Sequence, residues 1–232
     1  MREAGKPRQL PLDLDHVAGA TRDDLVVSTA NAEAVGLIDR WPDWPSPVVV
    51  LTGHAGSGKT HLATIWRGVS RAEALDPFAL QNDALAMAGQ PVLLDDIDAA
   101  PFDEQALFHL INTVRSSGGH LLMTSRRFPA AWGAKLPDLV SRLTAATVVE
   151  IAEPNDFLLA GVLTKLFADR QVEVEAHVVQ YLVRRIERSL VTAARVVEKL
   201  DRAALEQQTR ITRALAADIV SAMDLGQGEL EI

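Results

Sequence analysis

The chain has 232 residues, 48% of them hydrophobic and 23% charged, enough apolar side chain to bury a core in one or two domains of about 150 residues. A formal net charge of −8 argues against a large nucleic-acid surface, because phosphate binding draws on clustered Lys and Arg. Cysteine is absent, which excludes disulfides, thiolate zinc sites and a cysteine nucleophile and fits a reducing compartment; the six histidines do not fall at metal-ligand spacings.

Residues 1–20 are rich in Pro, Gly and charge and hold one short apolar alternation, Gln9-Leu10-Pro11-Leu12-Asp13-Leu14. A flexible tail carrying a linear motif is expected there. No signal-like apolar run precedes it, and no stretch approaches about 18 uninterrupted apolar residues, so a soluble cytoplasmic protein without a membrane partner is expected. Globular texture begins at Leu25. Residues 48–52, a β-branched run after Pro45 and Pro47, read as a buried strand feeding a glycine loop, with a helix starting at Lys59 or Thr60. Stretches 91–96, 120–125 and 147–151 read as further strands, and 103–117 as a helix closed by Gly118-Gly119. Strands alternating with helices imply an α/β fold with a mostly parallel sheet. Beyond Pro154 only helices are expected, over 155–170, 176–186, 190–207 and 211–223. The expected division is therefore a tail at 1–20, an α/β nucleotide-binding core at 21–152 and a small all-α domain at 153–232.

Gly53-His54-Ala55-Gly56-Ser57-Gly58-Lys59-Thr60 satisfies the phosphate-loop pattern G-x-x-x-x-G-K-[ST]. Its glycines let backbone N–H groups turn towards phosphate oxygens, Lys59 supplies a cation to the outer phosphates, and the Thr60 hydroxyl can ligate magnesium. The helix N-terminus behind the loop favours anions. A glycine turn that binds nothing is the bland alternative; the preceding strand and following helix weigh against it. Val92-Leu93-Leu94-Asp95-Asp96 sets two carboxylates at the end of an apolar strand, the first suited to hold Mg2+ and the second to orient a water. An acidic strand-to-helix turn with capping aspartates is the alternative. Thr124 or Ser125, ending the next strand, can stand beside a γ-phosphate or cap the Phe128-Pro129 turn.

Read in order, LVVSTANAEAV (25–35), GHAGSGKTHL (53–62), VLLDDID (92–98), LLMTSRRFP (121–129) and LPDLVSRL (136–143) resemble the initiator clade of AAA+ ATPases, which contains the bacterial replication initiator DnaA. The resemblance covers about residues 21–225 and implies an AAA+ P-loop core with a helical lid. No DNA-binding domain is expected after the lid, and residues 9–14 resemble the short peptide that docks on the DNA polymerase sliding clamp. Both features are similar to the Hda family of initiator-inactivating homologues.

That resemblance implies ADP or ATP with Mg2+ as ligand, Leu25, Val26 and Val27 with Asn31 against the adenine, and His61 and Thr124 beside the phosphate-loop residues. It implies a metal held by Thr60 and Asp95, with Asp96 as the catalytic carboxylate beside them. Arg142 matches the position of the family's arginine finger, a cation offered to a neighbour's γ-phosphate, whereas a solvated helix arginine is the bland alternative. Arg188 and Arg195 lie one turn either side of the position where the family places a lid arginine. The expected role is a negative regulator of replication initiation that binds ADP, docks on the sliding clamp through residues 9–14 and stimulates ATP hydrolysis by the initiator, its own hydrolysis being weak or absent. Self-association into a homodimer is compatible with this role, and direct sequence-specific DNA binding is not expected. A self-sufficient ATPase or helicase-loading motor is the alternative.

Overall fold

The computed structural model describes residues 21–80 and 86–228. The described chain divides into two compact units, an α/β unit ending at Glu153 and a helical unit beginning at Pro154. In the first, α1 (Ala32–Asp39) precedes β1 (Val48–Thr52), α2 (Lys59–Ser70), β2 (Glu73–Leu75), β3 (Pro91–Leu94), α3 (Glu104–Ser117), β4 (His120–Ser125), α4 (Pro137–Thr144) and β5 (Thr147–Glu150). The five strands form one sheet in the order β2-β3-β4-β1-β5. Every pairing is parallel, with Thr52 opposite both Ser125 and Glu150.

A parallel sheet covered on both faces needs strands that are apolar on both sides. β1, with sequence VVVLT, is buried throughout. Alternate residues serve opposite faces: Val49, Leu51, Leu93 and Leu122 pack with Leu37, Leu62, Ile65 and Trp66, whereas Val50, Val92, Leu121 and Met123 pack with Leu107, Leu110, Ile111 and Leu139. Below the first face lies an aromatic cluster. Trp44 stacks on Trp66 at 5.2 Å and 23°, Trp41 meets Trp66 edge-on at 6.4 Å, and His120 lies edge-on to both Trp41 and Trp44.

The helical unit comprises α5 (Asp156–Asp169), α6 (Ala176–Val183), α7 (Leu190–Gln207) and α8 (Arg213–Gly228). Asn155 and Ser189 cap α5 and α7 by accepting the N–H groups of Leu158 and Thr192. Leu159, Leu163, Phe167, Leu182, Val197 and Leu200 form its core. On its surface Tyr181 lies beneath the guanidinium groups of Arg185 and Arg213, at 5.9 and 5.2 Å.

The expected strand at 48–52, the helix closing at Gly118, the strand at 120–125 and the helix at 190–207 appear with those bounds, Asp103 serving as the cap of α3. Several elements differ. β3 stops at Leu94, and beyond it Asp96 adopts a left-handed φ of 55° and turns its N–H to the side-chain hydroxyl of Thr124 in β4 instead of a main-chain carbonyl. α6 ends at Val183, and α8 starts at Arg213, where the Thr212 hydroxyl takes the N–H of Leu215. β2 and α1 were not anticipated: β2 is three residues long and largely exposed, lacking an apolar run, and α1 begins directly after Asn31, the last residue read for adenine contact.

Candidate functional site

The phosphate loop leaves β1 at Gly53 and enters α2 at Lys59. Three of its residues need backbone torsions open to glycine: Gly53, Gly56 and Gly58 have φ of 152°, 74° and 103°. At Gly53 a Cβ would stand 2.3 Å from the Ile151 carbonyl oxygen and 3.0 Å from Ser57 Oγ, so no side chain fits. Buried Ser57 Oγ has no hydrogen-bond partner among the described residues. Lys59, 7% exposed, donates from Nζ to the carbonyls of Gly53 at 2.7 Å and His54 at 2.8 Å. Burial pushes its ammonium below the usual lysine range, a shift that the Asp96 carboxylate opposes. His54 and Ala55 are exposed at the loop's tip, and His61 follows on the first turn of α2.

Across the loop, the end of β3 meets the end of β4. The Asp95 carboxylate accepts the Thr60 hydroxyl at 3.0 and 3.2 Å and the Thr124 hydroxyl at 2.5 Å. Thr60 and Asp95 thus converge, as a shared hard cation would require. Thr124 is fully buried and also accepts the Asp96 N–H at 2.8 Å, so one hydroxyl fixes both aspartates. The Asp96 carboxylate in turn accepts Arg126 Nη2 at 3.0 Å. Ser125 Oγ donates to the Arg127 carbonyl, so its hydroxyl serves the chain after β4.

An orphaned buried hydroxyl, a loop too tight for any Cβ, a buried ammonium and a hydroxyl–carboxylate pair form a set that fits a phosphorylated nucleotide with a divalent cation. Lys59 and the loop's backbone N–H groups would meet the phosphates; Thr60 and Asp95 would hold the cation.

The segment read for adenine contact is clasped from within. Asn31 accepts the Ser28 N–H at 2.8 Å and donates to the Val26 carbonyl at 2.9 Å, tying residues 26–28 to the start of α1. Leu25 packs on the α1–α2 core, whereas Val27 is 40% exposed. Arg142 lies on α4, distinct from the phosphate loop, and among the described residues it forms no hydrogen bond or ion pair. Arg188 is engaged inside the helical unit, reaching the Pro154 carbonyl at 3.2 Å and Asp156 at 2.8 Å. The motif at residues 9–14 lies outside the described residues.

Two participants escaped the sequence reading. Asp98, whose side chain is 1% exposed, accepts the backbone N–H groups of Arg126 and Arg127 as well as Arg127 Nε. Glu104 accepts two backbone N–H groups at the start of α4. The signal for the first was present as Asp96-x-Asp98 against Arg126-Arg127, but it becomes legible only once β3 and β4 are known to be neighbours.

Residues 160–218 match the family model described as "Hda, lid domain". An uncharacterised protein of Haemophilus influenzae is 27% identical over 222 residues, covering 88% of this chain and 95% of that protein. Among solved structures, domain III of the Thermotoga maritima replication initiation protein DnaA superposes with a TM-score of 0.75 at 17% identity, covering 92% of this chain and 98% of that one. AMPPCP-bound DnaA from Aquifex aeolicus gives a TM-score of 0.62 at 18% identity, over 77% of this chain and 64% of that one. The chain therefore has a fold similar to that of DnaA domain III, and within its helical unit residues 160–218 match the Hda lid model.

Proposed function

From a lid of the Hda family joined to a DnaA-like AAA+ fold, we infer that this chain is a negative regulator of DNA replication initiation that acts on the initiator in trans. The single observation carrying the reading is the Hda lid match over residues 160–218, which narrows a fold shared by many AAA+ proteins to a replication regulator. Adenine nucleotide, ADP in the resting state, is held by residues 53–60 with Mg2+ on Thr60 and Asp95. The solved relative bound to AMPPCP supports a nucleotide in this fold. Residues 9–14 dock on the sliding clamp, an extended segment placing Leu12 and Leu14 in an apolar pocket with Gln9 as polar anchor. Arg142, which has no partner among the described residues, is presented to ATP held by the initiator. There it stabilises the charge that develops as the γ-phosphoryl group is transferred to water. No described helix is long and apolar enough to cross a membrane, which is compatible with work in the cytoplasm beside the replication machinery.

The deciding experiment is ATP turnover by the initiator with and without this protein and DNA-loaded clamp. Clear stimulation is expected, and Arg142→Ala removes it while ADP binding and clamp docking persist. Arg142→Lys does not rescue, because a point charge lacks the planar fork. Full stimulation by the Ala variant rejects the trans mechanism. A second reading, a self-sufficient ATPase, draws support from Asp95 and Asp96 standing together at the end of β3. It requires steady turnover by the purified protein without partners.

A further inference from the structure

The ends of β3 and β4 carry a charged arrangement that holding a nucleotide does not require. Asp96 and Asp98 from one strand end meet Arg126 and Arg127 from the other in two ion pairs, at 3.0 and 3.1 Å. Buried Asp98 grips the backbone N–H groups of Arg126 and Arg127 at 2.8 and 3.0 Å, so the backbone of Arg126 is fixed before its side chain pairs. Asp96 is fixed as well: its φ of 55° is held by the N–H bond to the Thr124 hydroxyl at 2.8 Å. An exposed ion pair is usually weak because water screens it and ordering two side chains costs entropy. Here both backbones are ordered in advance, which removes part of that cost, while the side chains remain reachable by solvent at 57% and 36% exposure.

We propose that Arg126 restrains Asp96, so that a nucleoside triphosphate entering this chain's own site is hydrolysed slowly. The proposal rests on the reading of residues 53–60 and Asp95 as a nucleotide site. Hydrolysis requires a water oxygen to bond the γ-phosphorus while the bond from that phosphorus to the β–γ bridging oxygen breaks. The water's proton passes to a base, and ADP leaves with inorganic phosphate. Asp96 is the carboxylate next to the metal-binding candidate Asp95, and Arg126 occupies its Oδ2 and fixes its orientation. A water competing for that oxygen must displace a charged donor whose backbone Asp98 holds in place. Arg126 is thus a positioning residue, acting on the reaction only through Asp96.

Four proteins test this: the wild type, Arg126→Ala, Arg126→Lys and the double variant Arg126→Ala/Asp96→Asn, with Asp96→Asn as a spectroscopic control. Calorimetry gives ATP and ADP affinities, single-turnover assays give ATP hydrolysis by the chain alone, and 15N side-chain spectra of the nucleotide-free protein follow the Arg126 guanidinium. In the wild type, guanidinium rotation is expected to be slowed, and Asp96→Asn frees it. Arg126→Ala raises single-turnover hydrolysis at least threefold, Lys restores most of the restraint, and the double variant falls back to the wild-type rate or below. Unrestricted rotation in the wild type, an unchanged rate in Arg126→Ala with ATP still bound, or a rise that survives loss of the Asp96 carboxylate would each overturn the proposal. Failure of the wild type to bind either nucleotide would instead overturn the nucleotide reading on which it rests.

Discussion

Glu104 Oε2 accepts the backbone N–H of Leu136 at 2.7 Å and that of Lys135 at 2.9 Å, so a side chain in the first turn of α3 satisfies donors at the start of α4. Such donors have no partner within their own helix and must find one elsewhere. α4 carries Arg142, so the angle at which that guanidinium leaves the surface depends on a carboxylate in another helix.

Glu104→Ala is therefore expected to lower stability by about 1–2 kcal/mol, leaving two main-chain donors without their acceptor. It should also reduce stimulation of the initiator's hydrolysis, with ADP binding unaffected. Glu104→Gln keeps an acceptor oxygen and should lie nearer the wild type in both respects. Urea midpoints and initiator turnover read the two effects; a Glu104→Ala midpoint equal to the wild type would count against the tether.

Lys59→Ala should weaken ADP binding at least tenfold, about 1.4 kcal/mol, by removing the ammonium that would meet the outer phosphates. Burial holds that ammonium below the usual lysine value, so the wild-type affinity should fall as pH rises, before an ordinary lysine near about 10.4 would lose its proton. Arginine at this position stays charged throughout and should flatten the alkaline fall. Calorimetry across the alkaline range tests both statements, and unchanged affinity in the Ala variant would reject the phosphate-loop assignment.

Gly53→Ala presses a methyl group into the Ile151 carbonyl, 2.3 Å away, at a φ of 152° that alanine avoids. A loss of at least about 2 kcal/mol is expected, because neither the loop nor the end of β5 can yield without breaking the Ile151–Thr52 backbone bond. Gly118→Ala is the control: its φ is 75° but nothing lies within 4 Å, so only the left-handed torsion is charged, roughly 1–2 kcal/mol. Thermal denaturation of the pair should show the larger drop at Gly53, and only Gly53→Ala should also lose ADP binding. Equal melting temperatures would mean that the close approach is relieved elsewhere.

Clamp binding should reside in residues 9–14. Replacing Leu12 and Leu14 together by Ala removes about 1.5–3 kcal/mol for each fully buried leucine, while folding and ADP binding persist. Surface plasmon resonance on immobilised clamp measures the effect. Native affinity in the double variant would make the motif a coincidence.

The parallel sheet was legible because β1 is a pure apolar run and the glycine loop behind it admits one geometry; the same logic gave the helix closed by Gly118. The Thr60, Asp95 and Thr124 cluster was legible one residue at a time, since each ends or begins a recognisable element. What the sequence hides is who stands beside whom. Asp98 reads as one more acid in a turn until β3 and β4 are adjacent, and then it becomes the buried acceptor for two arginine backbones. Glu104 reads as an ordinary acid in a first helical turn, favoured there by the helix dipole, and nothing local announces its acceptance of donors 31 and 32 residues away. β2 is invisible for a different reason: with two exposed residues of three, it is held by its neighbour more than by its composition.

The aromatic cluster under the sheet gives the molecule two separate optical labels. All four tryptophans, Trp41, Trp44, Trp66 and Trp132, fall in the α/β unit, and the single tyrosine, Tyr181, falls in the helical one. Three of those indoles are packed ring against ring with His120 at their edge, so unstacking of the α/β unit must change tryptophan emission. The helical unit carries a different label, a tyrosine held under two guanidinium groups. Tryptophan-selective excitation therefore follows the α/β unit by its native side chains, with no dye attached and no residue replaced.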